Sequence, residues 1–153
     1  MERTLVLLKP CAVERALIGE ITSRFERKGL YLVGMKLNWL DDKVLTEHYG
    51  HLVGKPFFPG LVASMSSAPV VVMCWEGLDA VSVVRTIVGP TNARLAPAGT
   101  IRGDFSMSFQ ENVVHASDSL ETAAIEIKRF FRPEELFDYQ PKSLQTIYSK
   151  DEI

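Results

Sequence analysis

Residues 99–118 gather one arginine, one asparagine and one histidine (Arg102, Asn112 and His115) between short apolar or small spacers. Such a set suits a reacting phosphate. His115 follows Asn112-Val113-Val114, which reads as a short buried strand, and precedes Ser117-Asp118-Ser119, which reads as a helix start. Asp118 with Glu121 three residues on approximates a capping box. An imidazole at such a junction sits beside free backbone N–H groups and the positive end of a helix, where anions bind. Unprotonated, it is a phosphoryl acceptor. The plainer alternative is a satisfied, half-buried histidine at a strand end.

The helix after His115 bears on that choice. Leu120, Ala123, Ile127 and Phe130 follow a three-four spacing, and Glu126 falls beside them. A carboxylate on an apolar face needs a partner. Accepting the proton-bearing nitrogen of the imidazole would determine which nitrogen stays free to attack.

The rest of the chain must position these groups. With 153 residues it is most simply one domain, long enough to bury about 70% of its unfolded surface. Seventeen Lys and Arg against 19 Asp and Glu give a net charge of −2, without the basic excess of a dedicated nucleic-acid binder. The start runs directly into a strand pattern without a leader, and no apolar run approaches the ~20 residues of a membrane span, so the expected setting is cytoplasmic. Cys11 and Cys74 form no metal or disulfide pattern. His48 and His51, three apart in a predicted helix, lack a third ligand.

Thr4-Leu5-Val6-Leu7-Leu8 suits a central strand buried on both faces, and it delivers Lys9 to its end, either solvated or placed at a phosphate-binding rim. Leu17, Ile18, Ile21 and Phe25 predict a helix that stops at Lys28-Gly29. Residues 31–39 predict a second strand. Asp41-Asp42 starts a helix through Leu45, His48, Tyr49 and Leu52, and after Pro56 a second short helix makes a helical hairpin. Val70 to Trp75 is the clearest buried strand. The next helix turns Val81, Val84 and Val88 inward and places Arg85 on the same stripe. Residues 89–104 read as a long loop carrying Thr91, Arg94 and Arg102, and loops of that length are often functional. Arg102 offers a fork of donors for phosphate oxygens. The tail from Asp138 to Ile153 is apolar enough to pack on the domain or on a neighbouring subunit. Without the hairpin, the order is βαββαβ: an α+β, ferredoxin-like sandwich with an antiparallel four-stranded sheet, covering helices and an inserted helical hairpin.

Thr100-Ile101-Arg102-Gly103-Asp104-Phe105 and Asn112-Val113-Val114-His115-Ala116-Ser117-Asp118-Ser119, with the spacing between them, resemble the signature of the nucleoside diphosphate kinases. The resemblance extends from Lys9 to about Asp138. It implies that His115 is phosphorylated by a nucleoside triphosphate and then passes the group to a diphosphate, with Ser117 and Glu126 supporting the ring. Lys9, Arg85 and Arg102 become cations for the phosphates, Thr91 a hydroxyl donor, and Mg²⁺ a bridge held mainly by the substrate. The same resemblance puts Lys9 and Asn112 on the sugar 3′-hydroxyl, Tyr49 beside the reacting centre, and Phe57 against the base, with Tyr49 and Leu61 bordering that pocket. It further implies a homo-oligomer, a hexamer rather than a tetramer given the long tail. Three positions depart from the usual pattern: Cys11 stands for aspartate, Ala98 for proline and Ala116 for the more frequent glycine. Cys11 raises the expectation of an oxidation-sensitive site.

Other functions fit less of the chain. Gly50 to Lys55 approaches a P-loop but has three residues between its glycines, and Pro56 stands where a magnesium-binding hydroxyl belongs. A histidine phosphotransfer module needs an exposed histidine but not the surrounding cations, and is usually a helical bundle. A non-enzymatic oligomeric scaffold for nucleic acid or protein would be revealed by salt-sensitive DNA binding independent of His115.

Overall fold

The computed structural model describes residues 1–153. In chain order its elements are β1 (Glu2–Leu8), α1 (Pro10–Glu14), α2 (Ile18–Lys28), β2 (Tyr31–Asn38), α3 (Asp42–His48), α4 (Phe58–Met65), β3 (Val70–Gly77), α5 (Ala80–Val88), α6 (Ile101–Phe105), β4 (Val114–Ala116), α7 (Leu120–Phe130) and α8 (Leu144–Ile147). The strands pair antiparallel in the order β2-β3-β1-β4. This is the expected α+β, ferredoxin-like arrangement, with α3 and α4 forming the inserted hairpin.

Alternation along β1 divides the core. Leu5 and Leu7 point toward Leu45, Leu61, Met65, Ile127 and Phe130 of α3, α4 and α7, whereas Val6 and Leu8 point toward Ile21, Phe25, Val84 and Val88 of α2 and α5. Because successive strand residues face opposite sides, a residue of β4 faces the layer of its cross-strand partner. His115 pairs with Leu7. Its side chain therefore faces the layer that holds α3 and α7, and this registration brings it to Glu126.

Local chemistry explains the ends. Gly29 stops α2 with φ of 104°, a left-handed conformation that costs glycine no steric clash. The Asp41 side chain accepts from the backbone N–H of Val44 and starts α3. Ser119, not Asp118, caps α7, accepting from the Thr122 N–H. The expected box therefore lies one residue too early, and Leu120, the first helical residue, is 54% exposed instead of inward.

Three further boundaries differ from expectation. The second strand ends at Asn38, leaving Trp39 outside and exposed. Residues 89–104 are not one loop: a 3-10 turn at Ala93–Leu95 and the start of α6 interrupt them. The Thr100 hydroxyl accepts from the Gly103 N–H to begin α6. The strand near the catalytic candidate is Val114–Ala116, so His115 sits within it and Asn112-Val113 form the turn before it. Val113 adopts φ of 61°, strained for a β-branched residue by about 1–3 kcal/mol. Its carbonyl accepts from the Lys9 N–H at 3.0 Å, tying that turn to the end of β1.

The tail lies against its own chain. Leu144 is buried, the Tyr139 hydroxyl donates to the Leu32 carbonyl, and the Tyr148 hydroxyl accepts from the Leu78 N–H.

Candidate active site

His115 is half-buried, and its Nε2 lies 3.0 Å from Oε1 of Glu126. The other carboxylate oxygen accepts from the Ser117 hydroxyl at 2.5 Å. Burial opposes ionisation of Glu126, but the His115 hydrogen bond and charge, together with the Ser117 hydroxyl, outweigh it and hold the carboxyl below its ordinary range. An ionised carboxylate only accepts, so in the neutral ring the proton resides on Nε2 and the lone pair on Nδ1. His115 and Glu126 both line a cavity of about 770 Å³. This is the arrangement a nitrogen nucleophile needs.

Lys9, Arg85 and Arg102 reach that cavity from three segments, and Arg129 of α7 from a fourth. Lys9 ends β1; it is buried, and its Nζ donates to the Gln110 carbonyl at 2.9 Å. Burial, and secondarily the charge of Arg102, lower its pKa to about 8. Arg102 is also buried, and it is largely committed to the backbone: Nε, Nη1 and Nη2 donate to the carbonyls of Asn112, Gly89 and Val114. Three of its five N–H groups thus bind the two segments flanking the site together, leaving two for a ligand. Burial, followed by the charge of Arg85, lowers its pKa to about 10, so it stays charged. Arg85 lies at the edge of the core. Its side chain is 46% exposed and pairs with Asp118 at the cavity rim, because α5 turns Val84 and Val88 inward and leaves Arg85 at the margin.

Asn112 and Thr91 are linked. The Asn112 Nδ2 donates to the carbonyls of Thr91 and Phe109, which leaves its buried Oδ1 without a partner. An orphaned acceptor lining a cavity is suited to a ligand hydroxyl. Thr91 is exposed and lines the same cavity. The hairpin forms the opposite wall. Phe57 is 51% exposed whereas Phe58 packs on the core, so the structure separates two adjacent rings that sequence pattern alone leaves equivalent. Leu61 and Tyr49 are buried behind it, and burial pushes the Tyr49 hydroxyl well above its ordinary range. All the candidate residues of the cavity, Lys9, Tyr49, Phe57, Leu61, Arg85, Thr91, Arg102, Asn112, His115 and Glu126, line it together. Ser117 lies behind Glu126.

Sequence reasoning missed several lining groups. Gln110 acts through its carbonyl and Phe109 is an exposed ring on the cavity wall, neither with a readable signal. Asp118 reads in the sequence as a capping residue, and the structure places it on the cavity lining. His48 lay on the predicted apolar stripe, and that inward position was the available clue: it is buried against His115 with ring centroids 4.6 Å apart. His51 is exposed at the cavity, and the ligand atoms that cluster with those of His48 belong to His115 and Glu126 instead. His48, His115 and Glu126 bring their ligand atoms within 4.8 Å of one another, yet each nitrogen facing that space already has a hydrogen-bond partner. Arg94 is exposed and donates to the Met107 carbonyl. Cys11 is half-buried and burial raises its thiol pKa, which disfavours the thiolate that an oxidation-sensitive site requires.

The model of the nucleoside diphosphate kinase family matches residues 2–136. The chain belongs to that family. A nucleoside diphosphate kinase of Parabacteroides distasonis is 62% identical over 153 residues, covering 100% of both chains. One from Pyrococcus horikoshii is 52% identical, covering 97% of this chain and 96% of its own. Among solved structures, a halophilic nucleoside diphosphate kinase of Halobacterium salinarum in complex with CDP superposes with a TM-score of 0.94 at 43% identity, covering 96% of this chain and 98% of the other.

Proposed function

We propose that this chain performs its family's reaction, transfer of the terminal phosphoryl group from a nucleoside triphosphate to a nucleoside diphosphate, through Nδ1 of His115. One observation carries the assignment. Glu126 occupies Nε2, so the free lone pair of Nδ1 belongs to a ring that borders a cavity lined by Lys9, Arg85 and Arg102. Attack by Nδ1 on the terminal phosphorus forms the N–P bond, and the P–O bond to the leaving diphosphate breaks with its electron pair moving to that oxygen. The ring becomes cationic with its proton still on Nε2, facing the carboxylate. The second nucleotide reverses these steps, its terminal oxygen attacking phosphorus and the N–P electrons returning to Nδ1.

The surrounding groups suit that course. Positioning and charge neutralisation supply most of the catalysis of phosphoryl transfer. Lys9 and the unpartnered Oδ1 of Asn112 offer a donor and an acceptor to the sugar 3′-hydroxyl, and Thr91 offers a hydroxyl. Phe57 can stack any base, which favours low base selectivity. Mg²⁺ prefers oxygen ligands and retains waters. With Glu126 engaged and Asp118 at the rim, the ion would be held mainly by the substrate phosphates. When bound it neutralises phosphate charge.

Steady-state rates with both nucleotides varied test this reading. Parallel double-reciprocal lines, and exchange of label between a triphosphate and its own diphosphate without any second nucleotide, are expected. Intersecting lines without exchange would mean direct transfer.

No helix is long and apolar enough to cross a membrane. Two free cysteines and nucleotide substrates agree with a cytoplasmic setting. Met35 and Leu37 of the edge strand β2, with Trp39 just after it, leave an exposed apolar row that supports a homo-oligomer, and the long tail favours a hexamer over a tetramer.

A further inference from the structure

Glu126 and Arg129 stand three residues apart on α7, the spacing at which opposite charges on a helix normally meet. They do not meet. The ion pairs of Arg129 go only to Glu47, and the titratable groups beside Glu126 are His115 and His48, with the Ser117 hydroxyl on its other oxygen. Two consecutive residues at the end of α3 hold the guanidinium instead: Nε donates to Glu47 Oε1 at 3.1 Å and Nη1 donates to His48 Nδ1 at 3.1 Å.

That second bond determines the state of His48. A guanidinium nitrogen can only donate, so Nδ1 must be the acceptor and the ring proton must reside on Nε2. The cost is visible, since His48 Nε2 is buried without any partner. Burial, followed by the charge of His115, lowers the His48 pKa to about 3, and the ring is neutral. Nδ1 also lies 3.8 Å from Oε1 of Glu126, where two acceptors face each other without a bond. The neutral ring therefore stands between a guanidinium and the carboxylate that supports His115.

We propose that His48 is a positioning residue: it keeps Arg129 from pairing with Glu126 and so reserves Oε1 of Glu126 for Nε2–H of His115. Without an acceptor at that place, Arg129 swings along α7 to its natural partner and competes with His115 for the same oxygen. The ring of His115 then loses its fixed tautomer, and Nδ1 its free lone pair. The proposal rests on the assignment of His115 as the phosphoryl acceptor.

Two variants and one spectrum test it. His48→Phe keeps an aromatic ring against His115 and Phe130 but removes the acceptor. At saturating triphosphate its rate of self-phosphorylation falls by about 10-fold or more, the scale of a charged hydrogen bond, with little change in KM. Adding Arg129→Met removes the competing cation and restores the rate to within about 3-fold of the parent, a coupling that loss of packing would not produce. Equal losses in single and double variants, or no loss in either, overturn the proposal. Nitrogen NMR of the unsubstituted protein decides independently of folding: His48 must show protonated Nε2 and bare Nδ1, and the opposite tautomer refutes the proposal. Retention of label in His115→Asn would instead overturn the underlying assignment of the acceptor, and the NMR result would still stand.

Discussion

Nε2 of His115 on β4 and Oε1 of Glu126 on α7 lie 3.0 Å apart, and neither residue reaches the other without the sheet register that pairs His115 with Leu7. The contact fixes a tautomer and supplies a counter-charge. Glu126→Gln keeps the shape but removes the charge, and is expected to lower the self-phosphorylation rate by about 10- to 100-fold. Ser117→Ala, which frees one carboxylate oxygen, costs about 3- to 10-fold. Rapid-quench labelling checks both; a change confined to KM would contradict this role.

Acid stability should report His48. Its folded pKa of about 3 lies below the ordinary ~6.5, so the unfolded chain binds one more proton between those values. Stability is therefore full above about pH 6.5 and falls as pH drops toward 3. Between pH 6.5 and 5 the loss from this group is about 2 kcal/mol. Urea unfolding at the two pH values, compared with His48→Phe, measures it, and the variant should lose correspondingly less.

The visibility of these groups in the sequence was uneven. The order of elements along the chain, the hairpin, His115 and inward Glu126 could be read because each rests on local periodicity or on the spacing of the signature. Arg102 was legible as a cation but not as a brace: its partners Gly89, Asn112 and Val114 lie 10–13 residues away and act through backbone carbonyls, which carry no side-chain signal. Asp118 and Ser119 are both good capping residues, and only the backbone shows that Ser119 opens the helix. Four-residue spacing from Val81 places Arg85 beside the apolar stripe without telling on which margin.

Arg102→Lys tests the brace. A single ammonium cannot replace a fork serving three carbonyls, so the variant is expected to lose about 2–3 kcal/mol of stability as well as activity. Denaturant midpoints at unchanged slope check this. Full stability with lost activity would place Arg102 on the substrate alone.

The Lys9 ammonium, lowered to about 8, sheds its charge within an accessible range. KM for the triphosphate is expected to rise as pH increases beyond about 8, and Lys9→Met to have a raised KM that no longer varies there. Binding assays from pH 7 to 9 measure the difference.

Phe57→Ala should raise KM by about 10-fold for every base, the stacking contribution of one ring, with a smaller effect on the rate at saturation. Parallel assays with purine and pyrimidine diphosphates check it. A loss restricted to one base would mean selective recognition at that wall.

The nucleophile itself can be observed directly. The protein is incubated with a triphosphate labelled in its terminal phosphate, freed of nucleotide, divided between acid and alkali, and then digested to locate the label. Phosphate that acid removes and alkali spares, carried on the peptide containing His115 and transferred to added diphosphate, is the predicted result. Label that survives acid, or that persists on the protein after His115→Asn, would contradict it.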